Sequence, residues 1–326
     1  MTQASAFELL ASGDTVAPDH DVAMDMCHRE WGLPEQKESW IVSCPPLGAK
    51  WTYARVNLSR QEAPTFLNIL GVPFHAPARN ERPSGYAFLP EIAAAQGIRP
   101  ARNHATVVAS RNIDGLAQRL QEAGVKFRYD PPDDNLAIAR IWVGFTEGME
   151  DSYEPAADAG LRLEVIPYEA VRPPSTAIQP DEAGSVTGAG IRIAARTLLM
   201  RNLDLRISTL ESIFEWRPQS DHISKDGTRR VRFAFANPKS AVIELVHPAR
   251  ESIEGGFLEE WGEGPFSLRL EVPDVASVQD RLQSCDAPWM WMPPAGPNES
   301  SRLLRHPQWQ LGTGFEFVPS ESQFAR

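Results

Sequence analysis

The chain of 326 residues has only three cysteines, Cys27, Cys44 and Cys285. So sparse and odd a set is no disulfide framework and reads as free thiols in a reducing compartment. No apolar run approaches the roughly 18 residues that a membrane helix needs. The N-terminal stretch MTQASAFELLASGDT has neither a basic leader nor an apolar core, so a cytoplasmic protein without a signal peptide is expected. Positive charge is also in short supply. Lys and Arg number 32 against 43 Asp and Glu, a formal charge of −11, and no basic stripe is present. Nucleic acid and anionic membrane surfaces are therefore not the expected partners, and small molecules are. There is no GxGxxG after a strand, no phosphate-binding loop, no nucleophile elbow and no CxxC pair. With 42% apolar and 23% charged residues, the chain can nevertheless bury a sizeable core. Its length suits two domains or one large one.

What is present is an internal repeat. A turn signature recurs four times: Pro18-Asp19-His20-Asp21, Arg111-Asn112-Ile113-Asp114, Arg201-Asn202-Leu203-Asp204 and Pro273-Asp274-Val275-Ala276. An amphipathic helix pattern follows each one. Leu116, Leu120 and Ala123 share one helical face, as do Ile207, Leu210 and Phe214, and Val275, Val278 and Leu282. The Asn or Asp of each signature is suited to cap its helix, and Gly124 to stop the second. At similar spacings after the signatures come short apolar strands with a polar residue at the centre: Asn68 in TFLNIL, Glu164 in LRLEVIP, Glu244 in AVIELVHP and Glu316 in GFEFVP. The pattern predicts four units of strand, helix and three strands, at about 6–75, 102–172, 190–250 and 262–322. The Pro- and Gly-rich stretch near 172–190 predicts a division into domains 1–172 and 173–326.

A fourfold βαβββ repeat with an RN(I/L)D turn after the first strand resembles the vicinal oxygen chelate superfamily. That superfamily includes glyoxalase I, bleomycin-resistance proteins, methylmalonyl-CoA epimerase and type I extradiol dioxygenases. The resemblance covers nearly the whole chain. It implies an α+β fold in which paired modules curve their sheets into two cups, helices outside. It further implies a divalent metal (Mn, Fe, Zn, Ni or Co) held by a first-strand His and a last-strand Glu. The first-strand positions here are Ser12, Ala105, Ala195 and Ser267; the nearest imidazole is His104, one residue early, where strand alternation points it away from the cup unless a bulge intervenes. His104 and Glu164 are therefore the candidate metal ligands, and Glu316 and Glu244 the candidate catalytic carboxylates.

Alternation along FSLRLEV places Phe266, Leu268, Leu270 and Val272 on the helix side and Ser267, Arg269 and Glu271 toward the cup. Arg269 is accordingly a candidate substrate contact, as is Trp142, which lies beside Arg140 in ARIWVGF. Trp289 and Trp291 in APWMWMPP, with Trp216, Trp261 and Trp309, are candidates to wall an apolar pocket. His20, His28, His75, His222, His247 and His306 each read more simply as structural or surface residues. Two functions remain open. One is a metal-dependent lyase, isomerase or ring-cleaving dioxygenase acting on a small oxygenated, hydrophobic or aromatic substrate. The other is a metal-free binding or resistance protein of the same fold. A homodimer through an apolar patch between modules is compatible with both.

Overall fold

The computed structural model describes residues 6–17, 20–33, 41–43, 52–57, 63–71, 105–132, 138–146, 153–171, 190–296, 299–305 and 313–320. The first half contains β1 (Leu9–Ala17), α1 (His20–Trp31), β2 (Ile41–Ser43), β3 (Thr52–Asn57) and β4 (Phe66–Gly71). It continues with β5 (Thr106–Ser110), α2 (Ile113–Glu122), β6 (Phe127–Asp130), β7 (Arg140–Val143), β8 (Leu163–Pro167) and the short α3 (Tyr168–Val171). The second half contains β9 (Arg192–Leu199), α4 (Leu203–Phe214), β10 (Ser220–Ile223), β11 (Arg229–Phe233), β12 (Val242–His247) and α5 (Ile253–Trp261). It ends with β13 (Gly264–Val272), α6 (Val275–Ser284), β14 (Trp289–Met292), β15 (Arg302–Arg305) and β16 (Gly314–Pro319). Among these helices none is long and apolar enough to cross a membrane.

The strands form two eight-stranded sheets, ordered β2-β3-β4-β1-β5-β8-β7-β6 and β10-β11-β12-β9-β13-β16-β15-β14. The orders are equivalent, so the repeat read from the sequence is a repeat in space. In each βαβββ unit the first and last strands pair in parallel and the others antiparallel. First strands of neighbouring units pair antiparallel, which joins two units into one curved sheet.

Three of the four turn signatures do what their chemistry suggests; Pro18 and Asp19 of the first lie outside the described residues. Asn112 Oδ1 accepts from the Gly115 N–H at 2.9 Å, Asn202 Oδ1 from Leu205 at 3.1 Å and Asp274 Oδ1 from Ala276 at 3.0 Å. Each cap satisfies a first-turn donor that α2, α4 or α6 would otherwise leave open. Gly124, at φ 65°, follows α2 in the left-handed conformation that favours glycine.

Strand alternation sorts side chains onto two faces. Leu67, Ile69, Val108 and Val165 of the first sheet, and Ile243, Leu245, Leu268 and Phe317 of the second, point into one continuous core that also receives the helices. The helix-bearing faces of the two sheets meet each other there. A Cβ on Gly13 would lie 2.9 Å from Leu268 Cδ2, so β1 and β13 pack closely enough to favour glycine. Phe7 stacks on Phe214 and Trp216 at ring distances of 5.3 and 5.0 Å, and Trp31 of α1 lies 4.1 Å from Phe315 of β16. Arg305 extends from β15 to Glu30 of α1 through two contacts of 2.8 and 3.0 Å, a buried ion pair between the halves. The opposite, concave faces carry further buried charge, including Glu164, Glu244, Arg269 and Glu316.

Bulges interrupt simple alternation, and one of them moves a residue to the other face. The register of β13 against β9 slips between Pro265 and Ser267, leaving Phe266 in a bulge. Phe266 therefore turns onto the concave face with Leu199, Val246, Met292 and Leu304 instead of lying under the helix. The equivalent strand pair in the first sheet slips between Leu10 and Ser12.

Candidate functional site: two concave faces

On the second sheet, Glu244 of β12 and Glu316 of β16 lie on the concave wall as expected, both completely buried. β11, with the sequence RRVRF, alternates Val231 and Phe233 into the core with Arg230 and Arg232 onto the concave side, opposite Val246 and Glu244. Arg269 from β13 and Arg302 from β15 enter the same space. Arg269 joins the two glutamates: its Nη2 lies 2.8 Å from Glu244 and its Nε 3.0 Å from Glu316. Glu244 also meets Arg230 at 3.0 Å and Arg232 at 2.9 Å. Glu316 also meets Arg302 at 2.6 Å and accepts from the Ser267 hydroxyl at 2.5 Å.

Burial alone would raise both carboxyls. Arg269, Arg230, Arg232 and Arg302 more than reverse that for Glu244, which is held well below the usual carboxylate range. For Glu316, the opposing pull of Arg302 and Arg269 brings it down to about 2. The two glutamates conversely hold Arg269 firmly protonated against the effect of its own burial.

This changes the expected roles of Glu316 and Glu244. A general base works best with a pKa near the operating pH and needs a lone pair aimed at the substrate. All four oxygens of these carboxylates already accept from guanidinium or hydroxyl groups. They serve as counter-ions. Arg269, read from sequence as a substrate contact, is bound to the same lattice. A divalent metal does not fit here either. The first-strand positions are Ala195 and Ser267, and an ion between Glu244 and Glu316 would share that space with a guanidinium. Among the described residues no group of three or more His, Cys, Asp or Glu side chains could hold a metal.

Helix α5 lies between the third and fourth units that the sequence predicts, at 190–250 and 262–322. It packs on the concave face, setting Phe257 and Leu258 against Leu199, Val246, Phe266, Met292 and Leu304. Glu254 from its first turn meets Arg230 at 2.5 Å. The apolar spacing of Ile253, Phe257, Leu258 and Trp261 was a legible signal; the Gly255-Gly256 pair obscured it.

Trp289 and Trp291 do not line this concave face. β14 pairs with β15 so that Trp289 lies opposite Arg305 and Trp291 opposite Leu303. Those two residues lie on the face of Phe315 and Phe317, so Trp289 packs against the core and Trp291 sits half exposed at the sheet edge. The alternating methionines take the concave side instead; Met292 joins the cluster around α5. Trp216 is likewise a core residue, its Nε1 donating to the Ala234 carbonyl at 2.6 Å.

The concave face of the first sheet is built differently. Glu164 of β8 is buried, with Val107 of β5 and Trp142 of β7 directly across from it. Arg140 Nη1 approaches Glu164 at 3.2 Å. The Trp142 indole N–H donates to Asp130 at 3.1 Å, and Arg128 meets the other oxygen of Asp130 at 2.5 Å. Phe145 lies edge-on to Trp142 at 6.2 Å. Glu164, Arg140 and Trp142 are thus brought together on one face. Arg128 and Asp130 complete the group, and their alternation in FRYD was a readable but weak signal. His104, like His75, His306 and Trp309, lies outside the described residues. His28 and His247 sit against the backbone carbonyls of Leu33 and Met200, at 2.6 and 3.2 Å.

No protein-family model matches the chain, and no curated protein matches it. Solved structures match it over nearly its full length, among them these two. One is a variant of 4-hydroxymandelate synthase from Streptomyces coelicolor, 11% identical, covering 97% of this chain and 93% of that one at a TM-score of 0.56. The other is a halotolerant catechol dioxygenase, BphC, 12% identical, covering 95% of this chain and 87% of that one at a TM-score of 0.52. The chain shares the fold of these two proteins. At such identities the likeness is one of architecture, and chemistry must be argued from the side chains. Within that architecture the two concave faces of this chain differ.

Proposed function

We propose that the protein binds a small oxygenated aromatic or hydrophobic molecule against the concave face of the first sheet. The grouping of Arg140, Trp142 and Glu164 supports this most directly. It combines a partly accessible guanidinium with an indole and a carboxylate that are both buried on the same strand-borne face. Arg140 and Arg128 supply donors for a carboxylate, phenolate or hydroxyl at the rim. The second sheet's lattice leaves the first sheet as the face suited to this work.

A second reading has one specific support, the position of Glu164 in the middle of a last strand on a concave wall. There, Glu164 and His104 would hold a divalent ion, and the protein would be a metal-dependent lyase, isomerase or dioxygenase. The ion would supply Lewis-acid stabilisation of a substrate's vicinal oxygens.

Calorimetric titration with catechol and with 4-hydroxymandelate, paired with metal analysis of protein purified without chelator, tests both readings. Binding that is lost in Arg140→Ala, with no stoichiometric metal, supports the binding protein. A stoichiometric ion lost in both His104→Ala and Glu164→Gln supports the enzyme. Binding that is undiminished in Arg140→Ala contradicts the placement of the site.

A further inference from the structure

We propose that the second sheet's cup is a closed, metal-independent half of the molecule, in which the Arg269 guanidinium takes the place of a bound cation and α5 is a fixed plug. Glu244 and Glu316 occupy equivalent positions in the third and fourth modules, and the fold brings their carboxylates to opposite sides of one group. That group is Arg269, at 2.8 and 3.0 Å. A planar guanidinium with several donors can serve two carboxylates at once, whereas a lysine ammonium offers a single point of charge.

Charge balance points the same way. Arg230, Arg232, Arg269 and Arg302 supply four positive charges to the cup. Glu244, Glu254, Glu299 and Glu316 supply four negative ones through direct ion pairs with them. A divalent ion added between Glu244 and Glu316 would bring two further positive charges beside the Arg269 guanidinium, which burial penalises heavily.

The local structure of α5 serves closure. Ser252 caps the helix by accepting from the Gly255 N–H at 2.9 Å. A Cβ on Gly255 would lie 2.2 Å from the Ala249 carbonyl oxygen, so the chain folds over this turn more tightly than any larger residue permits. That turn delivers Glu254 to Arg230 and, at 3.6 Å, to Arg302. Behind it, Phe257 packs edge-on to Phe266 at 5.2 Å. One helix therefore seals the cup by charge at its first turn and by apolar contact beyond.

The test compares melting temperature and metal content, in EDTA and then in MnCl2 or ZnCl2, for wild type, Glu244→Gln, Glu316→Gln, Ser267→Ala, Arg269→Lys and Arg269→Met. The expected result is that the metal content of the wild type, and any metal-induced shift, is unchanged in Glu244→Gln, Glu316→Gln and Ser267→Ala. Arg269→Met melts several degrees lower, and Arg269→Lys falls between it and wild type. A metal-induced rise in the wild type that disappears in Glu316→Gln or Ser267→Ala overturns the proposal, as does an Arg269→Met variant as stable as wild type. Ser267→Ala, which removes one hydroxyl, keeps the metal arm decisive where a glutamine variant does not fold. An ion held at Glu164 would be lost in Glu164→Gln and retained in Glu316→Gln, so this test is separable from that of the first sheet.

Discussion

The two sheets share strand order, caps and core, yet their concave faces use charge in opposite ways. On the second, charges are paired inward, several to each carboxylate, and covered by a helix. On the first, Arg128 meets Asp130 and Arg140 meets Glu164, so the ion pairs among the described residues are separate pairs and not a shared lattice. A carboxylate at the centre of a last strand is thus a position the fold offers, and neighbouring strands decide its use. Arginines at alternate positions of β11, β13 and β15 convert it into a structural counter-ion.

The largest test of this contrast is Arg269→Met. Removing one partner of a buried, multiply bonded ion pair leaves uncompensated charge and costs about 3–5 kcal/mol. Arg140→Ala on the first sheet removes one partner whose side chain is 17% accessible, and the expected loss of stability is smaller than for Arg269→Met. Chemical denaturation of both variants checks the order; equal losses would break the comparison.

Acid titration comes next, with opposite signs in the two halves. Glu316 is ordinarily near 4.5 and folded near 2, so its stabilisation is complete above 4.5 and is lost as pH falls toward 2. Asp158, buried in the first half, is pushed up from 3.8 to about 6 by that burial, against hydrogen bonds from Tyr153, Leu163 and Gly160. Its folded form binds a proton first. Its linkage therefore favours folding fully below 3.8, and that contribution is lost as pH rises through about 6. Stability measured from pH 2 to 8 should show a shallower acid limb in Glu316→Gln, where Glu244 still contributes, and should lose its limb near 6 in Asp158→Asn.

Gly255→Ala should cost about 1–3 kcal/mol, because the added methyl meets backbone rather than a movable side chain. A melting scan that finds it neutral would show that α5 is not tightly seated. The smallest expected difference is between the caps. Asn112→Ala and Asn202→Ala should each cost about 1 kcal/mol, equally in both halves, because the helices are capped identically.

The architecture was readable because its signals are local. Asn112, Asn202 and Asp274 cap helices through atoms a few residues away, and alternation in β12 and β16 sets Glu244 and Glu316 on one face. The meaning of those glutamates was not readable. Arg230 and Arg232 alternate visibly in RRVRF, but only pairing of β11 with β12 reveals that they neutralise Glu244. Phe266 and the tryptophans of β14 depended on register, where a slip of one residue exchanges faces. The helix α5 was hidden by two adjacent glycines, one of which the packing requires.

The most direct measurement sets Glu316→Gln beside Glu164→Gln, scoring melting temperature and affinity for an aromatic hydroxy acid in the same preparations. The account predicts that Glu316→Gln melts several degrees lower with its affinity intact, while Glu164→Gln melts close to wild type with its affinity lost. Lost affinity in Glu316→Gln at an unchanged melting temperature would contradict it.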